Sequence, residues 1–177
     1  MITGQIAAEN ASALQDATFT VVDKLEQNVE EAAPAPYMTA TLLQDAITHL
    51  GLSSAQVMQS AQWLFENGLI TYPRTDSASV APEASDEARK IVSQIFGEQS
   101  LDRKKRWNQI AAHEAGAHEA IRPTSSARLP EQLPDEVDAD CRRLYTLIHR
   151  RFLAGYMCPA VFRVITVELE SDENQGQ

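Results

Sequence analysis

The sequence predicts a mainly α-helical protein with a small β part, and three observations support that class. Between residues 39 and 156, apolar side chains recur at helical spacing in segments that are bounded by capping residues, glycine and proline. Two β-branched runs, residues 18–23 and 161–169, lie near the two ends of the chain. The chain has 177 residues, of which 44% are hydrophobic, so it can bury one solid core.

The positions of the two β-branched runs predict that the chain is divided into three parts. We expect residues 1–31 to be a β-strand arm, residues 32–158 a helical domain, and residues 159–177 a returning strand arm with a C-terminal tail. The arms are expected to pair as an antiparallel ribbon, with residues 30–36 as the connector. Because an isolated two-stranded ribbon is marginally stable in water, we expect the ribbon to be a stub of a neighbouring β-rich domain.

Four helices are predicted within the helical domain. Ser53 and Gln56 are spaced as a capping box, while Gly51 and Gly68 can end helices in the left-handed conformation. A short β-branched run, residues 69–72, follows the second helix as a strand. Helix, helix and strand in this order are typical of a winged-helix, CAP-like domain. The predicted helices cover residues 39–49, 53–67, 82–96 and 137–156.

The net charge of −10 is concentrated in the two arms. Residues 1–31 carry six acids against one lysine, and residues 167–177 carry four acids and no base. The centre is therefore close to neutral, and it contains a basic cluster at residues 103–106. A strongly acidic chain disfavours nucleic-acid binding, but this distribution leaves the central domain able to meet phosphate.

The sequence argues against membrane and metal functions. No apolar run is long enough to span a bilayer, and the first residues lack the features of a signal peptide, so we expect a cytoplasmic protein with no membrane partner. Cys141 and Cys158 share no Cys-x-x-Cys spacing with each other or with the histidines, so no zinc or other metal site is predicted.

Residues 68–77 (GLITYPRTDS) carry the most informative motif, a tyrosine followed two residues later by an arginine. Pro73 restrains Tyr72 to an extended conformation, and the chain must turn there. Free phenols are mostly neutral at pH 7, so a phenolate needs a nearby cation. Arg74 can serve as that cation and can grip a phosphate through two parallel hydrogen bonds. We interpret Tyr72 as a nucleophile toward phosphate; the alternative is a half-buried strand tyrosine beside a solvated arginine.

Two further motifs accompany the first, residues 36–44 (PYMTATLLQ) and residues 116–124 (GAHEAIRPT). The three together resemble type IA DNA topoisomerases, whose active-site tyrosine lies in the pattern Gly-x-Ile-Thr-Tyr-x-Arg-Thr-Asp-Ser. All three motifs occur in the order that the family has.

The resemblance implies a reaction and a larger enzyme. In this family the tyrosine, here Tyr72, attacks a backbone phosphate of single-stranded DNA, forms a 5′-phosphotyrosyl bond and releases a 3′ hydroxyl that later reverses the step. Strand passage then relaxes supercoiled DNA without ATP, which agrees with the absence of a phosphate-binding Gly-x-x-x-x-Gly-Lys loop. The family binds Mg²⁺ in a Toprim domain through an Asp-x-Asp-x-Glu cluster that this sequence lacks. We therefore expect an incomplete fragment, inactive alone, whose partners are single-stranded DNA and the remaining domains of the parent topoisomerase.

The resemblance also implies the roles of individual side chains. Arg74 is expected to stabilise the scissile phosphate, while His118 and Arg122 hold adjacent phosphates. If residues 117–122 are helical, these two side chains face the same way. Glu119 is expected to orient a neighbour, and Thr124 either donates to phosphate or caps the local backbone. The other candidate DNA-binding residues are Thr39, Thr41, Thr75, Asp76 and Ser77.

A non-catalytic winged-helix module, with its second helix in the major groove of duplex DNA, is the alternative function. A helix in that position needs basic anchors, yet residues 53–67 contain no lysine or arginine. The basic-residue pattern therefore favours the topoisomerase.

Overall fold

The computed structural model describes residues 17–103, 107 and 119–171. Within these residues it contains four α-helices and one two-stranded antiparallel sheet, which confirms the predicted mainly helical class with a β-ribbon. The elements in chain order are β1 (Phe19–Glu31), α1 (Thr39–Leu50), α2 (Ser54–Glu66), α3 (Pro82–Phe96), α4 (Ala139–Ala154) and β2 (Ala160–Ser171).

The chain divides into two units, residues 1–31 with 161–177, and residues 32–160. The described part of the first unit is the ribbon, in which all of β1 is exposed. β1 extends to Glu31, so the connector predicted from residue 30 begins too early. Backbone pairing with the twelve residues of β2 overrides the weak strand preference of the acidic residues at this end.

The ends of the helices in the second unit follow from local sequence. The Ser53 N–H donates to Gln56 Oε1 at 2.9 Å, and the Gln56 N–H donates to Ser53 Oγ at 3.3 Å, so the predicted capping box is confirmed. Gly51 and Gly68 have φ of 69° and 65°, the left-handed region that glycine adopts without strain. The Gly68 turn fixes where the chain leaves α2.

Helix α4 supports both parts of the core. Leu144 and Ile148 are buried against α1 and α2, whereas Phe152 is buried against α3. These side chains form an apolar stripe along α4, with Leu147 partly buried at its edge. One helix therefore holds the first two helices and the third in a fixed relation.

The strand predicted at residues 69–72 is wrong as a regular element. Ile70 forms a single bridge with Pro123, and the neighbouring bonds run from the Thr71 N–H to the Arg122 carbonyl and from the Thr124 N–H to the Leu69 carbonyl. Pro123 has no N–H, so the ladder cannot continue. The winged-helix assignment stays a prediction. No helix in the described part of the chain combines the length and apolar character that crossing a membrane requires.

Candidate active site

The described parts of the three sequence motifs lie side by side in the structure. Ile121 lies between the other two segments: its N–H donates to the Tyr37 carbonyl at 2.8 Å, and one residue on, the Arg122 carbonyl accepts from the Thr71 N–H at 2.9 Å. The Thr71 hydroxyl also donates to the Ala120 carbonyl at 2.6 Å. Residues 119–124 therefore join the segment before α1 to the segment that carries Tyr72.

Tyr72 is half-buried and has open space beside it. Its ring packs edge-on against Phe65 of α2, with centroids 5.3 Å apart and an angle of 68° between the planes. A cavity of about 510 Å³ borders both rings, and its wall is completed by Gly68, Ile70, Thr71, Glu119 and Thr124. Tyr72 therefore borders open space on the side of this cavity.

The other three tyrosines of the chain are enclosed. Tyr37, Tyr145 and Tyr156 are 1%, 0% and 3% exposed. Burial raises the pKa of all three, that of Tyr145 to about 12. The Tyr145 hydroxyl is committed to the Arg128 carbonyl at 2.7 Å. Of the four tyrosines, Tyr72 is the one with a ring open to a reactant.

Arg74 is exposed, while its neighbours Pro73 and Thr75 are buried. The guanidinium forms no hydrogen bond or ion pair with any residue that the structure describes. A charged side chain on a held loop, with no partner among the described residues, is available to bind an anion.

Thr39, a predicted DNA contact, uses its polar groups within the protein. Its hydroxyl donates to the Pro73 carbonyl at 2.8 Å and accepts from the Thr75 N–H at 2.9 Å. Its own N–H donates to the Thr75 carbonyl at 3.0 Å. The start of α1 is thereby bound to the loop on both sides of Arg74.

Glu119 and Arg122 form a mostly buried ion pair. The Arg122 Nε lies 2.7 Å from Glu119 Oε1, and the two side chains are 12% and 5% exposed. Arg122 also donates to the Pro123 carbonyl, and Glu119 accepts from the Ala81 N–H at 3.0 Å. The described residues 119–122 are not helical, so the condition of a helix over residues 117–122 is not met there, because their backbone pairs with segments on two sides.

Two more threonines of the predicted site bond to backbone groups, Thr41 within its own helix turn and Thr124 across to the turn after α2. The Thr41 hydroxyl accepts from the Met38 N–H at 3.0 Å and so caps the start of α1. The Thr124 hydroxyl donates to the Gly68 carbonyl at 2.7 Å, which favours the capping alternative for this side chain. Both hydroxyls stabilise the turns that surround Tyr72.

The loop after Arg74 is ordered by its own side chains. The Thr75 hydroxyl accepts from the Ser77 N–H, and the Ser77 hydroxyl accepts from the Ser79 N–H, each at 3.1 Å. Asp76 is exposed. His118 lies outside the described residues, as do residues 104–106 of the basic cluster.

Sequence reasoning missed the aromatic partner of Tyr72. Phe65 of α2 is 37% exposed and packs on Tyr72. The available signal was its position one turn before the Gly68 helix stop, because the chain reverses at that glycine. Among the described residues, no group of three or more histidine, cysteine, aspartate or glutamate side chains is placed to hold a metal ion.

A helical framework thus presents a half-buried tyrosine that borders a cavity, close in sequence to an exposed arginine with no partner among the described residues. The sequence model of the DNA topoisomerase family matches residues 2–177. The chain therefore belongs to that family, in its bacterial type IA class.

Individual relatives agree with this assignment. DNA topoisomerase 1 of Thermotoga maritima is 37% identical over 164 residues, which are 88% of this chain and 26% of that protein. DNA topoisomerase 1 of Escherichia coli K12 is 38% identical over 158 residues, 88% of this chain and 18% of that protein. The solved structure of full-length topoisomerase I from Thermotoga maritima superposes with a TM-score of 0.72 at 34% identity, covering 95% of this chain and 28% of that one. The chain thus spans about a quarter or less of these relatives.

Proposed function

We propose that Tyr72 is the nucleophile that cleaves one DNA strand within a longer topoisomerase. The phenol oxygen attacks a backbone phosphorus, the bond from phosphorus to the 3′ oxygen breaks, and the departing oxygen takes up a proton as a 3′ hydroxyl. The 5′ phosphate stays on Tyr72. The observation that carries the proposal is that Tyr72 alone among the four tyrosines has an open ring, next to an arginine with no partner among the described residues.

Arg74 is the proposed stabiliser of the scissile phosphate. Phosphoryl transfer is accelerated mainly by positioning and by charge stabilisation, and a guanidinium supplies both through its fixed fork of donors. The exposure of Arg74 and the burial of both its neighbours support this role, because the loop is held while the charge remains accessible.

The contacts of the other site residues favour supporting roles. Arg122 is paired with Glu119, and the hydroxyls of Thr39, Thr41 and Thr124 bond to backbone groups. We therefore assign them the role of fixing the geometry of the site. Asp76, which is exposed, and His118 remain the proposed additional DNA contacts.

The overall reaction that we propose needs no nucleotide cofactor. A phosphotyrosyl ester retains the energy of the broken phosphodiester, so the 3′ hydroxyl can reseal the strand after another strand has passed. Relaxation of supercoiled DNA would require the rest of the enzyme, including a Toprim domain that holds Mg²⁺, so this chain alone is proposed to be inactive. Its share of the relatives' length supports that view.

The test is the covalent adduct formed on a single-stranded oligonucleotide by the full-length protein that carries this chain. The oligonucleotide is labelled at its 3′ end, because that fragment remains on the protein. Tyr72→Phe is expected to lower adduct formation by at least about a thousandfold while single-strand affinity stays within about threefold. Tyr145→Phe removes a buried hydroxyl and serves as the matched control that keeps the adduct.

An adduct that survives in Tyr72→Phe would assign the nucleophile to another residue. Stronger binding to a matched duplex than to the single strand would instead support the winged-helix alternative. These outcomes separate failure of the nucleophile assignment from failure of the substrate assignment.

A further inference from the structure

Thr39, the first residue of α1, forms hydrogen bonds with the residues on both sides of Arg74. The Thr39 hydroxyl contacts the carbonyl of Pro73, which precedes the arginine, and the N–H of Thr75, which follows it, at 2.8 and 2.9 Å. The Thr75 carbonyl accepts from the Thr39 N–H at 3.0 Å and also lies 3.0 Å from the Thr39 hydroxyl. One side chain and its own backbone thus hold the peptide groups on both sides of Arg74.

The arrangement uses groups that would otherwise lack partners. The first N–H groups of a helix have no intrahelical acceptor, so the Thr39 N–H is free to bond outside α1. Within the described residues, the Pro73 carbonyl and the Thr75 N–H have no hydrogen-bond partner other than Thr39. Pro73 and Thr75 are buried, so these groups would lose their bonds without a ready replacement.

The geometry points to Thr39 as a positioning residue for the cleavage reaction. We infer that its hydroxyl holds the Pro73–Thr75 loop in the conformation that aims the Arg74 guanidinium at the phosphate attacked by Tyr72. This inference rests on the proposed function of the site. Thr39 acts through Arg74 and not by touching DNA, because its single hydroxyl proton and its accepting oxygen are both engaged by the loop.

The direct test is Thr39→Val in the full-length protein, because valine keeps the shape of threonine and removes both hydrogen-bonding functions. We expect the single-turnover rate of adduct formation to fall about tenfold to a hundredfold. The Kd for the single-stranded oligonucleotide should change by less than about threefold, because Arg74 is still present. Thr39→Ser, which keeps the hydroxyl, should restore most of the rate.

Thr146→Val is the matched control for this substitution. The Thr146 hydroxyl bonds to the Arg142 carbonyl within α4 at 2.7 Å, away from the Arg74 loop. This variant loses the same atoms and is expected to cleave at the wild-type rate.

A double-mutant cycle with Arg74→Ala separates positioning from a general structural effect. If Thr39 acts through Arg74, Thr39→Val should slow an Arg74→Ala enzyme by less than about twofold, because the group being positioned is gone. A merely structural residue would slow both enzymes by the same factor. Equal factors in the two backgrounds would overturn the inference, and so would a Thr39→Val enzyme that cleaves at the wild-type rate.

The folding of the variants and the proposed role of Tyr72 are checked by separate measurements. Urea midpoints establish that each variant is folded, and Thr39→Ala takes the place of Thr39→Val throughout the cycle if valine prevents folding. If Tyr72→Phe retains the adduct, the proposed function itself fails. If Tyr72→Phe loses the adduct and Thr39→Val has no effect on the rate, only the positioning role is refuted.

Discussion

Among the described residues of the second unit, Tyr72 lies near Arg74 in sequence at an open site, and Tyr37 contacts Arg151 at a closed site. At the closed site, the Tyr37 hydroxyl donates to Asp45 at 2.8 Å, and the Arg151 guanidinium lies 4.7 Å from the centre of the Tyr37 ring. Arg151 also pairs with Asp45 at 3.0 Å and donates to the Ala35 carbonyl at 2.7 Å. At the open site, Tyr72 borders a cavity and the neighbouring arginine has no described partner.

The difference shows that pairing and burial, more than residue type, decide what such groups do. Burial, together with the Asp45 carboxylate, raises the pKa of Tyr37, so its reactive phenolate form is suppressed. The Arg151 guanidinium donates hydrogen bonds to Asp45 and to a backbone carbonyl. The groups of the closed site are paired with one another, whereas the arginine of the open site is exposed and has no partner among the described residues.

The largest expected effect that separates the two sites is that of Arg74→Ala. Loss of a charge that stabilises the transition state should slow adduct formation by about 10²–10³-fold. The free energy of unfolding should change by less than about 0.5 kcal/mol, because the side chain is exposed and unpaired among the described residues. Single-turnover cleavage and urea unfolding of the same preparation measure the two quantities.

Arg74→Lys is the informative companion to that variant. Lysine keeps the charge but loses the planar fork of donors, so an intermediate rate is expected. A stability loss in Arg74→Ala equal to that of a core substitution would mean that the open site is also structural, and the comparison between the two sites would fail.

Asp45→Ala at the closed site is expected to lower stability and to leave the cleavage rate nearly unchanged. This change leaves the Tyr37 hydroxyl and the Arg151 guanidinium without their shared acceptor, which should lower the free energy of unfolding by about 1–3 kcal/mol. Asp45 is partly exposed, and water replaces some of the lost bonding, so the lower half of that range is favoured. Urea unfolding measures the loss, and Asp45→Asn, which keeps an acceptor, should lose less.

Adduct formation by folded Asp45→Ala should stay near the wild-type rate. A large fall in rate with unchanged stability would show that the closed site contributes to the chemistry, contrary to its assignment here.

Much of the helical framework follows from local sequence. Gly51 and Gly68 end helices where the sequence predicts, and Ser53 caps α2 through Gln56, because these signals act over a few residues. The length of the strand predicted at residues 69–72 does not follow from local sequence. Whether it extends depends on its partner segment, where Pro123 interrupts the pairing from far along the chain.

The same limit applies to the site. The Tyr72 motif can be recognised from the sequence because its residues are adjacent. Whether the Arg122 guanidinium is paired within the protein depends on its tertiary contacts. Sequence alone does not show that Glu119 forms an ion pair with Arg122. It also does not show that the Thr39 hydroxyl donates to the Pro73 carbonyl in the Arg74 loop. Which charged groups stay free for a substrate is settled by tertiary pairing.

The smallest expected effect concerns the enclosed tyrosines at high pH. Burial raises the pKa of Tyr145 to about 12, above the value near 10 of an exposed tyrosine. Between these two values the folded state keeps the Tyr145 proton and the unfolded state has lost it, so stability falls as the pH rises through that window. Below about pH 10 both states are protonated, and the full stabilisation is present.

Tyr145→Phe isolates this contribution. At pH 7 the variant should lose about 1 kcal/mol, because the hydrogen bond to the Arg128 carbonyl is gone. From pH 10 to 11.5 its urea midpoint should fall less steeply than that of the wild type, since one titrating group has been removed. Burial of Tyr37 and Tyr156 raises their pKa values as well, so a residual decline is expected in the variant. Parallel declines in the two proteins would mean that Tyr145 titrates alike in the folded and unfolded chains, and the enclosure that distinguishes it from the open site would be absent.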